Sequence, residues 1–190
     1  MKIEISIIYG STRPARLGIR FARYLKREIE NNNIKAHLID PMEYKIPMLE
    51  KRFVEYNDND VSKNLVNLHR RLKSSDAYII VSAEYNHFPP PALINIINHF
   101  SSEYNRKPSA VCTYSSGDLA GIRAQNPMRV MMSQLGCPPI KFGMFQSNVG
   151  RFFKENGEPT SIEDAKKRFD LFFNELLWYA KTLKSKRESN

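Results

Sequence analysis

Cysteine is nearly absent: Cys112 and Cys137 are the only two in 190 residues. Two cysteines make no disulfide framework, and these lack metal-ligand spacing, so both read as small buried hydrophobes. There is no Asn-x-Ser/Thr sequon, and the chain runs straight into a strand with no signal-peptide pattern. A reducing, cytoplasmic setting is expected. No apolar run approaches the ~20 residues that a membrane span needs. Glycine is also scarce, at eight residues. It is missing where two familiar phosphate loops require it. No Gly-Lys-Ser/Thr follows Gly10, and Gly10 and Gly18 stand too far apart for G-x-G-x-x-G. A phosphate bound here would belong to a mononucleotide-like group, not a dinucleotide. His37, His69 and His99 show no His-Glu-x-x-His spacing and read as structural. No Gly-x-Ser-x-Gly elbow supplies a hydrolase nucleophile.

What is present is a globular composition, 42% hydrophobic and 26% charged, of a length that suits a single domain over residues 1–190. The net charge of +9 invites a nucleic-acid partner. The basic clusters argue against one. Lys26-Arg27, Arg70-Arg71, Lys166-Lys167-Arg168 and the Lys181–Arg187 tail fall on helical faces, where charge runs are solvated. The surplus can instead attract anionic small molecules.

The chain is organised around Ile3 to Gly18. Ile3, Ile5, Ile7, Ile8 and Tyr9 predict a buried strand. Gly10 permits a turn, and Ser11, Thr12, Arg13 and Arg16 follow. Leu17, Phe21, Leu25 and Ile29 then recur every four residues, with Ala22 widening a helical stripe. Backbone N–H groups at a helix start, hydroxyls and guanidinium groups together suit a phosphate. An ordinary strand-to-helix loop with solvated arginines reads equally well from this stretch alone.

Further on, Ile34–Asp40 predicts a second strand ended by Pro41, and residues 41–58 a long loop. Val61, Leu65, Leu68 and Leu72 predict a second helix capped by Asp60. Ala77–Ser82, apolar on both faces, reads as a central parallel strand. A third helix follows from about Pro91. Pro108–Tyr114 is the fourth strand, and a fourth helix closes at Gly136. Ile140–Phe145 is a weaker fifth strand. Thr160-Ser-Ile-Glu163 has the pattern of a capping box. An apolar stripe from Ile162 through Phe169, Phe172, Phe173 and Leu176 to Leu183 marks a long last helix, with fraying expected after about Lys184. Five strands alternating with five helices imply a doubly wound parallel sheet with helices on both faces. With strand order 2-1-3-4-5, the polar loops 10–18, 83–90 and 114–121 share one rim, where such sheets bind ligands.

These loops carry a family resemblance. Gly10-Ser-Thr-Arg13 resembles the G-S-x-R loop of the NAD(P)H-dependent FMN reductases, which are flavodoxin-like flavoproteins. Ala83-Glu-Tyr-Asn-His-Phe-Pro-Pro-Pro-Ala-Leu-Ile-Asn95 resembles their P-E-Y-N-x-S-x-P-x-x-L-K-N segment. Ser115-Ser-Gly-Asp-Leu-Ala-Gly-Ile-Arg-Ala124 is similar to their third glycine-containing loop. The resemblance spans about residues 1–145. It implies bound FMN, hydride transfer from NADPH or NADH to a small-molecule electron acceptor such as a quinone, azo compound or flavin, and a homodimer or homotetramer. Ser11, Arg13, Arg16, Leu17 and Gly18 would hold the phosphate. Glu84, Tyr85, Asn86 and His87 would face the ring and ribityl, largely through main-chain groups. Ser115, Ser116 and Gly117 would line the other side. The flavin carries the chemistry, so no acid–base dyad is needed. Departures stand at Ala83, Phe88, Ile94 and Asn98, where the family pattern has proline, serine, lysine and aspartate. The loss of charge at Ile94 and Asn98 leaves open an electron carrier or redox-responsive interaction protein that reacts poorly with nicotinamides. Tyr85 also reads as simple packing, Arg123 as a brace for its loop or for a partner subunit, and Met128, Met131 and Met132 as core or interface filler.

Overall fold

The computed structural model describes residues 2–57 and 59–189. Five parallel strands form one sheet in the order β2-β1-β3-β4-β5. They are β1 (Glu4–Tyr9), β2 (Lys35–Ile39), β3 (Ala77–Ser82), β4 (Ser109–Tyr114) and β5 (Phe145–Gln146). The helices are α1 (Gly18–Asn31), α2 (Pro41–Tyr44), α3 (Lys63–Ser74), α4 (Pro91–Asn98), α5 (Gln125–Gln134), α6 (Val149–Phe152) and α7 (Ile162–Glu188). Side chains alternate across each strand. Ile5, Ile7, Tyr9, Ile79, Val81 and Cys112 meet α1 and α7 on one face. Ile8, Tyr78, Ile80 and Val111 meet α3, α4 and α5 on the other. Every residue of β3 and β4 is buried, which fits the reading of β3 as a central parallel strand. Cys112 and Cys137 are buried free thiols, and burial pushes both up to about 12.

Several expected boundaries differ. The 41–58 stretch is more ordered than a loop. Asp40 caps α2 by accepting from Met42 N at 2.9 Å, and a 3₁₀ turn spans Phe53–Glu55. Asn95 of α4 holds this stretch down, accepting from Leu49 N and donating to the Pro47 carbonyl. Asp58 lies outside the described residues. The cap of α3 is Ser62, whose hydroxyl accepts from Leu65 N, rather than Asp60. The fifth strand pairs only at Phe145–Gln146. Before it, Pro139 makes an isolated bridge to Ser109, and a Cβ on Gly143 would stand 2.0 Å from the Val111 carbonyl oxygen. The chain there touches β4 too irregularly to form a ladder. At the start of α7 no side chain caps the helix, so the Thr160–Glu163 capping box does not form, and Ile162 is exposed rather than part of the apolar stripe. Helix α7 continues past Lys184 to Glu188, where Lys184 and Arg187 bond Asp76. Asn190 lies outside the described residues.

His37, His69 and His99 are structural. His37 bonds Glu4, His69 bonds Glu103 and stacks on Phe53 at 4.2 Å, and His99 is buried against the Pro47 carbonyl. Among the described residues, no three metal-ligating side chains cluster, and no helix is long and apolar enough to cross a membrane.

Glu4 gives the fold an acid-sensitive element. Burial acts to raise its pKa, but hydrogen bonds from Lys35, His37 and Ser74 outweigh that and lower it from 4.5 to about 2. A depressed carboxylate pKa stabilises the fold above its unfolded value and loses that contribution as pH falls through the folded one. Glu4→Gln is therefore expected to flatten the decline in thermal midpoint between pH 4.5 and about 2, and a parallel decline in both proteins would refute it.

Candidate functional site

The carboxyl ends of β1, β3 and β4 open into one cleft of about 290 Å³. Ser11, Arg13, Arg16 and Leu17 line it from the first loop, Glu84 and Tyr85 from the second, and Ser115 and Ser116 from the third. Three stretches far apart in sequence thus meet because the strand order reverses between β1 and β3. Ala15, Ala83, Tyr114 and Val149 complete the lining. Those four are residue types common in any core, and no polar signal separates them in the sequence.

The first loop presents donors. Leu17 occupies the N-cap of α1 without a side-chain cap bond, so the helix start is open. The N–H groups of Thr12, Ala15 and Leu17 bond no backbone carbonyl. Arg13 is exposed and makes no ion pair among the described residues. Ser11 is buried, with its hydroxyl 3.3 Å from the Tyr85 hydroxyl. This donor set fits a phosphate ester.

Arg16 sits differently. Its guanidinium forms a two-point pair with Asp40, one arm at 2.7 Å, and also donates to the Ser11 carbonyl at 3.2 Å. Burial works against its charge, but Asp40 outweighs that and raises its pKa above the ordinary value. The arginine ties the loop to the end of β2 while lining the cleft. The sequence shows the arginine but not this partner.

Gly18, Asn86, His87 and Gly117 are not among the residues lining the cleft. Gly18 is buried, and a Cβ there would fall 2.0 Å from the Tyr114 ring. Its small size lets α1 lie on that ring. Asn86 and His87 form the exposed tip of a two-residue turn. Their φ angles are 50° and 69°, and Tyr85 and Phe88 exchange backbone bonds of 2.8 and 3.0 Å across it. Positive φ at both central positions is the type I′ pattern. Gly117 is exposed, and its carbonyl accepts from Ser115 Oγ and Asn148 N. Under the cleft, Tyr114 donates to the Tyr9 hydroxyl at 3.2 Å, and burial raises both phenols above their ordinary value.

Comparison with known proteins agrees with this arrangement. The family model described as NADPH-dependent FMN reductase matches residues 3–150. The chain belongs to that family. The matched residues contain all three loops of the cleft. Within the NADPH-dependent FMN reductase family, the NAD(P)H-dependent FMN reductase LOT6 of Saccharomyces cerevisiae is 28% identical over 128 residues, or 59% of this chain and 65% of that relative. The match thus covers just under two thirds of the yeast protein. Among solved structures, the flavoenzyme NAD(P)H:(acceptor) oxidoreductase FerB of Paracoccus denitrificans superposes with a TM-score of 0.71 at 19% identity, covering 96% of this chain and 98% of that one. A flavodoxin from the domain Archaea superposes with a TM-score of 0.57 at 14% identity, covering 96% and 99%. The fold is flavodoxin-like.

Proposed function

We propose that the protein is an FMN-dependent NAD(P)H oxidoreductase, taking a hydride from a nicotinamide nucleotide and delivering two electrons to a small acceptor such as a quinone, azo compound or free flavin. The observation that carries this reading is the meeting of three polar loops around a cleft whose first loop offers open N–H groups, a serine hydroxyl and Arg13, which has no ion-pair partner among the described residues. Membership in the family supports it, as do the names of the yeast relative and of FerB.

In this reading Ser11, Arg13 and the N–H groups before α1 hold the phosphate of FMN. Arg16 lines that cleft and shapes the loop through Ser11 and Asp40. Glu84, Tyr85, Asn86 and His87 border the ring and ribityl on one side, and Ser115, Ser116 and Gly117 on the other. Bound FMN would supply the electron-carrying ring, and the protein would orient it and leave room for a nicotinamide or an acceptor. The same reading expects a homodimer or homotetramer.

Purified protein is expected to be yellow and to bleach anaerobically with NADPH or NADH. Colourless protein that ignores added FMN would refute the proposal. Bleaching by dithionite but not by either nicotinamide would identify an electron carrier instead. Arg13→Ala is expected to weaken FMN binding by about 1–3 kcal/mol, roughly five- to 150-fold, as loss of a charged hydrogen bond does. An unchanged FMN titration would place the phosphate elsewhere.

A further inference from the structure

The second and third loops are joined by one ion pair. Glu84, a lining residue of the cleft, accepts from Arg123 N at 3.0 Å through Oε2 and faces the Arg123 guanidinium at 3.5 Å through Oε1. The Glu84 side chain is only 13% exposed, while that of Arg123 is 43% exposed. Both ends are held by backbone. Glu84 immediately precedes the Tyr85–Phe88 turn, whose two reciprocal bonds set its direction. Arg123 lies in a 3₁₀ turn, Ile122–Ala124, entered through Gly121 at φ 67°. A Cβ on Gly121 would stand 2.6 Å from the Tyr114 carbonyl oxygen, so the loop can fold back onto β4 only with glycine there. That fold-back brings the Arg123 N–H to the carboxylate.

The charges lining the cleft are unevenly compensated. Arg16 has Asp40, and Arg13 has no ion-pair partner among the described residues. Glu84 is the one carboxylate lining the cleft, and Arg123 is its one cationic partner among the described residues. An unpaired carboxylate in a partly dry cleft repels added negative charge more strongly than it would in water. FMN gains negative charge on two-electron reduction at neutral pH. The compensation of Glu84 therefore bears on the difference between oxidised and reduced FMN, not only on the shape of the site.

We infer that Arg123 is a positioning residue that cancels the Glu84 charge in the cleft and so keeps reduced FMN bound nearly as well as oxidised FMN. This rests on the FMN reading above. Arg123 acts through Glu84 and is not among the residues lining the cleft.

The test is the ratio of dissociation constants for oxidised and dithionite-reduced FMN, measured anaerobically at low salt on the full chain. The set is wild type, Arg123→Gln, Glu84→Gln and the double variant. Arg123→Gln leaves a bare carboxylate and is expected to weaken reduced FMN about three- to tenfold more than oxidised FMN. A tenfold change in that ratio corresponds to about 30 mV for a two-electron couple. Glu84→Gln is expected to move the ratio the other way by a smaller factor, because the freed guanidinium is better solvated. The double variant has no charge at either position and is expected to return to within about twofold of wild type. A purely structural brace would behave otherwise. Both single variants would then weaken the two forms equally, or the double variant would be no better than Arg123→Gln, and either result overturns the inference. Wild-type protein that binds neither form overturns both this inference and the FMN reading. Wild-type protein that binds both forms, with no change of ratio in any variant, overturns this inference alone.

Discussion

Gly18→Ala is expected to lower stability by about 1–2 kcal/mol and to weaken FMN binding with it. The sign of the first effect is set by two opposing quantities. Alanine is the better helix former, by about 1 kcal/mol in a helix interior. Gly18, however, is the first residue of α1, where helix propensity counts least, and its added Cβ would stand 2.0 to 2.5 Å from three atoms of the Tyr114 ring. That ring cannot swing away freely. It is buried at the end of β4, stacked beside Tyr9 with centroids 6.1 Å apart, and it donates to the Tyr9 hydroxyl. Either the ring or the start of α1 must move, and overpacking of this kind costs about 1–3 kcal/mol. Both lie under the cleft, so displacement carries to Ser11 and to the open N–H groups before the helix. Urea midpoints and FMN titration read the two effects. Tyr114→Leu in the Gly18→Ala background should recover part of the stability, because it removes the atoms in the way. If Gly18→Ala alone were as stable as wild type, the glycine would be an incidental choice and the close approach to Tyr114 would carry no energy.

Residues with local causes were legible in the sequence. The β-branched and aromatic runs of β1 and β3 are strands buried on both faces, and no tertiary partner was needed to see them. The polar loops after them were legible as a site because turn glycine, hydroxyls and arginine sit within a few residues of each other. What remained hidden was decided by partners distant along the chain. The pairing of Arg16 was hidden because its partner Asp40 stands 24 residues on, just past the end of a different strand. The close packing of Gly18 was hidden because Tyr114, the ring lying on it, belongs to β4. Tyr114 and Val149 line the cleft through side chains that look like core. The fifth strand is present but shorter than its apolar content suggests, again because of a distant partner. Apolar content suggested a ladder over Ile140–Phe145, but Gly143 crosses too close to the Val111 carbonyl to keep strand spacing.

Asp76→Ala is expected to remove about 2–3 kcal/mol of stability while leaving FMN affinity within about twofold of wild type. Asp76 precedes β3 and is buried. Its carboxylate takes Lys184 and Arg187 of α7, each at 2.9 Å, and the backbone N–H of Glu4 at 3.1 Å. One side chain thus joins the start of β1, the start of β3 and the end of the last helix. Stripping one partner from a fully buried pair costs about 3–5 kcal/mol. The two cations here keep 18% and 20% of their exposure, so water reclaims part of that cost. It does not reclaim all of it. Lys107 lies close by, with burial and the Arg187 charge pulling its pKa down to about 8 while Asp76 acts to raise it. Losing the carboxylate leaves three cations with less to balance them, and the end of α7 should then fray as its run of charged residues suggests. Faster amide exchange over residues 181–188, with the cleft loops unchanged, is the expected signature. The cleft should be spared because Asp76 stands at the amino end of the sheet and FMN would bind at the carboxyl end. A stability change within about 0.5 kcal/mol would mean that the apolar face of α7, from Ala165 to Ala180, holds the helix without the clasp.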